Sequence, residues 1–137
     1  MSGLRAALAV VWLAMVSAAP AAAQPAAGST QGRWLPLSRA IEPLGPLSVS
    51  GTQIQWSICR GARVARVEAD PASTVYVLEG EPGCVLDGRR VTHLKLAPKP
   101  GGMAGRCGAE LSLFGSEKAW RDTQPDAWGL VERSPCP

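Results

Sequence analysis

Four cysteines, one histidine and a scatter of carboxylates are the groups in this 137-residue chain whose types suit chemistry. Their spacing narrows what that chemistry is. Cys59, Cys84, Cys107 and Cys136 stand 25, 23 and 29 residues apart. A zinc site or a redox dithiol uses a close pair such as C-x-x-C, because both thiolates must reach one ion or one bond from a single turn. No close pair exists here, so disulfides are the expected use of all four. Cys136 sits between Pro135 and Pro137. A bridge at that point would clasp an extended tail that otherwise frays. Four cysteines admit three pairings. In a strand meander, Cys59 and Cys84 fall at turns on one end and Cys107 near the opposite end, where the tail returns. That favours Cys59–Cys84 and Cys107–Cys136.

His93 is the sole histidine. Only an imidazole exchanges protons near pH 7 without help from its surroundings. Alternation in Val91 to Leu96 places Thr92, Leu94 and Leu96 on one face of a strand, and His93 with Lys95 on the other, wetter face. With a free thiol, His93 would make a cysteine-dependent enzyme. No G-x-S-x-G elbow, H-E-x-x-H pair or P-loop is present. Glu79, Glu81 and Asp87 gather in one loop, where solvated charge is the expected role. No catalytic residue, no cofactor and no metal site is assigned, and the chain is expected not to be an enzyme.

Aromatic side chains offer binding rather than catalysis. Trp56 alternates with polar neighbours and is expected in the core. Trp34, Trp120 and Trp128 are candidate binding residues, the last two because they lie in the polar, breaker-rich stretch KAWRDTQPDAW.

These groups need elements to hold them, and those elements follow an export leader. Arg5, the apolar run Ala6 to Val16 and the small residues ending in Ala21-Ala22-Ala23 form the three parts of a secretory signal peptide. Residues 1–23 are read as that signal, 24–31 as a flexible leader and 32–137 as one β domain. The run is too short for a membrane helix, and no transmembrane segment is expected in the mature chain. An alanine-rich leader of this kind suggests a bacterial protein, periplasmic or secreted. The formal charge is +3, and Arg5 leaves with the leader. Acidic and basic groups are interspersed, so no phosphate-neutralising face forms and nucleic acid is not an expected partner.

Within the domain, Pro36, Pro43, Gly45 and Pro46 allow at most one turn, from Ser38 to Glu42. From Leu47 the pattern has period 2. Ile54, Trp56 and Ile58 share one face; Arg63 to Ala69 and Thr74 to Leu78 are further strands. Glu79 to Arg90 and Pro98 to Gly105 read as loops. Arg106 to Phe114 turns Ala109, Leu111 and Leu113 inward. Ser116 caps one helical turn over 116–121, and a last strand covers Trp128 to Val131. Strands of this length, separated by Gly/Pro turns, predict an all-β fold: a small antiparallel meander closed as a barrel or sandwich.

Gly32-Arg33-Trp34, at the start of such a domain, resembles the G-x-W with which lipocalin-like barrels begin. The plan is also similar to that of small periplasmic inhibitors of secreted metalloproteases. In those proteins a disulfide-bonded barrel sends an N-terminal segment into the protease. They carry a cysteine soon after the tryptophan, whereas here the next is Cys59. The resemblance implies a non-enzymatic binding or structural module whose partner is an envelope or secreted protein. Its sharper form is an inhibitor of an exported hydrolase.

Overall fold

The computed structural model describes residues 30–99, 107–133 and Cys136. Residues 1–23, read as a signal peptide, residues 24–29 of the expected leader and residues 100–105 of the expected loop lie outside the described residues. The architecture is all-β. Eleven strands run in chain order: β1 (Gly32–Pro36), β2 (Leu47–Ser50), β3 (Gln53–Gln55), β4 (Cys59–Arg60), β5 (Arg63–Ala69), β6 (Thr74–Glu79), β7 (Gly83–Leu86), β8 (Arg89–Val91), β9 (His93–Lys99), β10 (Cys107–Phe114) and β11 (Ala127–Arg133). One short helix, α1 (Glu117–Arg121), joins β10 to β11, and a 3-10 turn spans Glu42–Leu44.

Eight strands form one antiparallel sheet in the order β3-β2-β1-β11-β10-β9-β6-β5. This is a meander whose first strand has paired with its last. β1 meets β11 at Leu35↔Glu132 and Pro36↔Val131. The sheet nearly closes into a barrel. At the remaining seam, between β3 and β5, the Val64 amide donates to the Thr52 carbonyl at 3.2 Å. A bulge between Val64 and Arg66 bends β5 there.

Period-2 alternation sends one side of every strand inward. Tyr76, Leu94 and Leu113 lie in one row across β6, β9 and β10. Thr74, Leu96 and Leu111 form the next row. With Trp34, Leu47, Val49, Ala109 and Val131 they fill the barrel, all essentially without exposure. An eight-stranded barrel is just wide enough for side chains to fill.

One end is covered by the segment 37–46. Ile41 is fully buried, and a Cβ at Gly129 would crowd its side chain at 2.8 Å, so β11 needs glycine there. The turn from Ser38 to Glu42 forms, the Glu42 amide donating to the Ser38 carbonyl at 3.0 Å, and the Ser38 hydroxyl accepts from the Leu130 amide at 2.8 Å, tying the segment to β11.

The stretch Glu79 to Arg90 is not a loop. β6 and β9 continue past this same barrel end as the hairpin β7–β8, which with β4 makes a three-stranded second sheet. Its tip is Asp87-Gly88, and Asp87 takes φ 49. The signal missed was cross-strand: Cys84 pairs with Cys59, and Val91 is buried. Both favoured disulfides form, Cys59–Cys84 between β4 and β7, and Cys107–Cys136 between β10 and the tail. Gly61 and Gly80 abut beside the first bridge. Gly80 has φ 117, and a Cβ on it would overlap the Gly61 carbonyl.

Thr30 is buried and Gln31 is hydrogen-bonded, so these two residues, read from composition as leader, are held by the fold. Polar side chains gave no hydrophobic signal, yet they are held by specific acceptors and donors inside the fold.

Candidate functional site

Three regions hold the residues that sequence reasoning singled out. The first surrounds Trp34, which is 1% exposed and therefore no surface anchor. Its indole donates to the Thr30 carbonyl at 2.9 Å. The Arg133 guanidinium, from the end of β11, lies 4.8 Å over its ring and donates to the Gln31 carbonyl. The Tyr76 hydroxyl bonds the Thr30 hydroxyl and accepts from the Gln31 amide at 3.3 Å. The Gly51 amide donates to Gln31 Oε1 at 2.6 Å. Residues 30 and 31 are thus bolted to the barrel where β1 begins. Burial lowers the pKa of Arg133, and its Nε has no hydrogen-bond partner among the described residues. The stack on Trp34 and the bond to Gln31 are what that buried cation receives in return.

The second region is His93. Sequence alternation set it on a wet face, but it is only 4% exposed. It does point out of the barrel. The correction is that the outer face is covered at this point. α1 follows Ser116, whose hydroxyl accepts from the Ala119 amide at 3.0 Å. The helix lays Trp120 on the imidazole with ring centroids 5.2 Å apart. His93 Nδ1 shares a hydrogen bond with the Thr92 hydroxyl at 2.8 Å, while Nε2 has no partner among the described residues. Loss of solvent lowers its pKa; Glu117 and Glu68 oppose this, and Arg66 and Arg121 add to it. Trp120 also carries Arg121, 4.9 Å over its ring. It is therefore half-buried, clamped between a histidine and an arginine of its own chain. A His93–thiolate pair would need an unpaired cysteine, and the two disulfides use all four. What the fold gives His93 is a packing partner, the Trp120 ring.

The third region is open. Trp128 is 57% exposed on β11. Alternation puts Leu130 beside it on the same outer face. Across the seam, the Leu37 amide donates to the Leu130 carbonyl at 2.8 Å, and Leu35 precedes it outward on β1. Among the described residues six large apolar side chains are exposed; the register sets Leu37 beside Leu130 and Leu35 opposite Glu132, so four of the six share the outer face of the β1–β11 pairing. Such clustering, rather than scattered exposure, marks an interaction surface. The strip runs into a cleft of about 450 Å³ at the covered barrel end. Segment 37–46 supplies Ser38, Ala40 and Leu44; the β7–β8 tip supplies Leu86 and Asp87; β11 and its approach supply Asp126, Ala127 and Trp128. A smaller cleft of about 290 Å³ shares Leu86, Asp87 and Asp126 and adds Arg89. Arg89 reaches Asp126 only at 3.9 Å.

Sequence reasoning therefore found Trp128 but not its surroundings. Leu35 and Leu37 gave a signal, being apolar residues in a polar, proline-rich stretch. Their union with β11 required the closure of the barrel. No protein family, curated protein or solved structure matches this chain.

Proposed function

We propose that this chain is an exported, non-enzymatic β-barrel that acts by binding an envelope or secreted protein. One observation carries the reading: the barrel interior is filled by its own side chains, while Leu35, Leu37, Leu130 and Trp128 stand together outside it. Burying such a strip together with an exposed aromatic is how protein interfaces gain most of their affinity. The two disulfides fit an oxidising compartment. Among the described residues no helix is long and apolar enough to cross a membrane. The test is affinity capture from an envelope extract of the source cell with the mature protein. Leu37→Ser/Trp128→Ala should lose the specific partner, and Val85→Ser, at an exposed apolar site on the β7–β8 hairpin, should keep it. Undiminished capture by the double variant would remove the strip from the interface.

A second reading, inhibition of an exported hydrolase, draws on the clamp at Thr30 and Gln31. Whatever precedes residue 30 leaves the barrel from a fixed mount, held by Trp34, Tyr76 and Arg133. A segment offered from a rigid base loses less entropy on entering a cleft than a free tail does. Truncation immediately before Thr30 should leave the melting temperature unchanged and abolish inhibition of a secreted protease. Retained inhibition would dismiss this reading.

A further inference from the structure

We infer that the cleft beside Trp128 is a receptor for an arginine side chain of the partner, an inference that rests on the partner-binding reading above. The cleft joins three things that a guanidinium uses. The Trp128 face is open. Two carboxylates, Asp87 and Asp126, line both clefts and so form their common wall. Leu44, Leu86 and Ala127 give apolar lining against which methylenes can lie. A planar guanidinium stacks on an indole and forks to carboxylates; an ammonium does neither as well.

Two other tryptophans of the molecule carry an arginine over the ring. Arg133 lies over Trp34 and Arg121 over Trp120, at 4.8 and 4.9 Å. Among the described residues Trp128 has no such cation. Arg89, which lines the adjoining smaller cleft, reaches Asp126 at 3.9 Å, beyond hydrogen-bonding distance, and is largely solvated. The cleft thus has negative charge in excess of what its own arginine neutralises. It lies at the end of an apolar strip that would seat the rest of the partner segment. The occupant is a stretch of the partner with apolar residues followed by arginine.

The probe is N-acetyl-arginine amide, titrated into the mature protein while the Trp128 indole N–H is followed by NMR. N-acetyl-citrulline amide, of the same shape but neutral, is the control. A saturable shift with the arginine compound, at least about five-fold weaker with citrulline, is expected, since the charge supplies the stacking and ion-pair gain. Asp87→Asn and Asp126→Asn should each weaken it about two- to five-fold. Asn tolerates the positive φ of residue 87, so the first variant keeps the hairpin tip. Equal shifts with both probes, no saturable shift, or indifference to both substitutions would overturn the inference. The two levels fail separately. If arginine binding is absent but Leu37→Ser/Trp128→Ala still loses the partner, the strip stands and the receptor falls. If arginine binds but the double variant captures normally, the partner reading falls instead. Sedimentation of the same samples tests a second copy of the chain as occupant. A dimer dissolved by Trp128→Ala and insensitive to the arginine probe would also overturn the assignment.

Discussion

Replacing Cys59 and Cys84 together by alanine should be the most damaging change that leaves the barrel strands themselves intact. The bridge closes a 25-residue loop. Restricting an unfolded loop of that size contributes about 3.5 kcal/mol in the chain-entropy account. The sulfur of Cys84 is also buried in the core cluster, and Cys59 packs against that cluster. Losing those contacts adds about 1 kcal/mol. A domain of this length loses roughly 4 °C of melting temperature per kcal/mol, so the shift should be about 15–20 °C. The second bridge closes a loop of similar size, 29 residues. Loop entropy alone would make the two removals equal. The structure separates them. β4 has two residues, and among the described residues its ladder pairs are Cys59↔Cys84 and Arg60↔Gly83. Cys107, by contrast, begins an eight-residue strand paired on both sides, and Cys136 is exposed. Thermal and urea unfolding of the two double-alanine variants would decide it. Amide exchange should quicken over 57–62 in the first and only near the tail in the second. A first variant that melts within about 3 °C of the parent, or above the second variant, would refute the reasoning.

Two other outcomes follow from single side chains. The pKa of His93 is lowered in the fold from 6.5, mainly by burial. The unfolded chain therefore takes up a proton that the folded one resists. The contribution is complete above about pH 6.5 and is lost as pH falls through and below that value. Urea unfolding from pH 7.5 to 5 should show stability declining, with a shallower decline in His93→Gln; an identical slope would show that His93 is not the group responsible. Arg133→Ala removes the stack on Trp34 and the bond to Gln31, at a cost of about 2–3 kcal/mol. It should lower the melting temperature by about 8–12 °C and speed amide exchange at Gln31 to Arg33, whereas unchanged exchange there would mean that Arg133 does not hold the N-terminal mount.

Strand identity was legible wherever burial was one-sided. Arg63 to Ala69 coincides with β5, and Ala109, Leu111 and Leu113 point inward as their alternation requires. Legibility failed where a second layer changed the meaning of a face. His93 lies on the outer side of β9, as its period implies, but only α1 folding back with Trp120 makes that side dry. Glu79 to Arg90 read as a loop because Gly80, Pro82, Gly83 and Gly88 break the pattern. Three of those four glycines and prolines sit at the junctions of a hairpin, where positive φ is used to turn, and not in a disordered connection. Of the Trp128 surface, only Trp128 was singled out from the sequence. Leu130 is its neighbour on β11, but Leu35 and Leu37 come from β1 and the residue after it, about ninety positions away, and no local pattern announces a pairing of first strand with last.

The barrel's size then constrains where any function can reside. Eight strands leave an interior that Trp34, Tyr76 and four leucines of β9 and β10 fill, so the proposed partner would be met at an end or on the outer wall. One end is taken by the Thr30–Gln31 mount and its arginine. Most of the outer wall bears charge, and near β9 and β10 it is roofed by α1. What remains is the seam where the meander closes. There the outward positions of β1 and β11 hold Leu35, Trp128 and Leu130, with Leu37 just past β1, beside the charged Arg33 and Glu132. A closed sheet has no need of apolar side chains on its outside. Their presence at the closing seam, beside a cleft with two carboxylates, is a feature the fold does not require and a partner would.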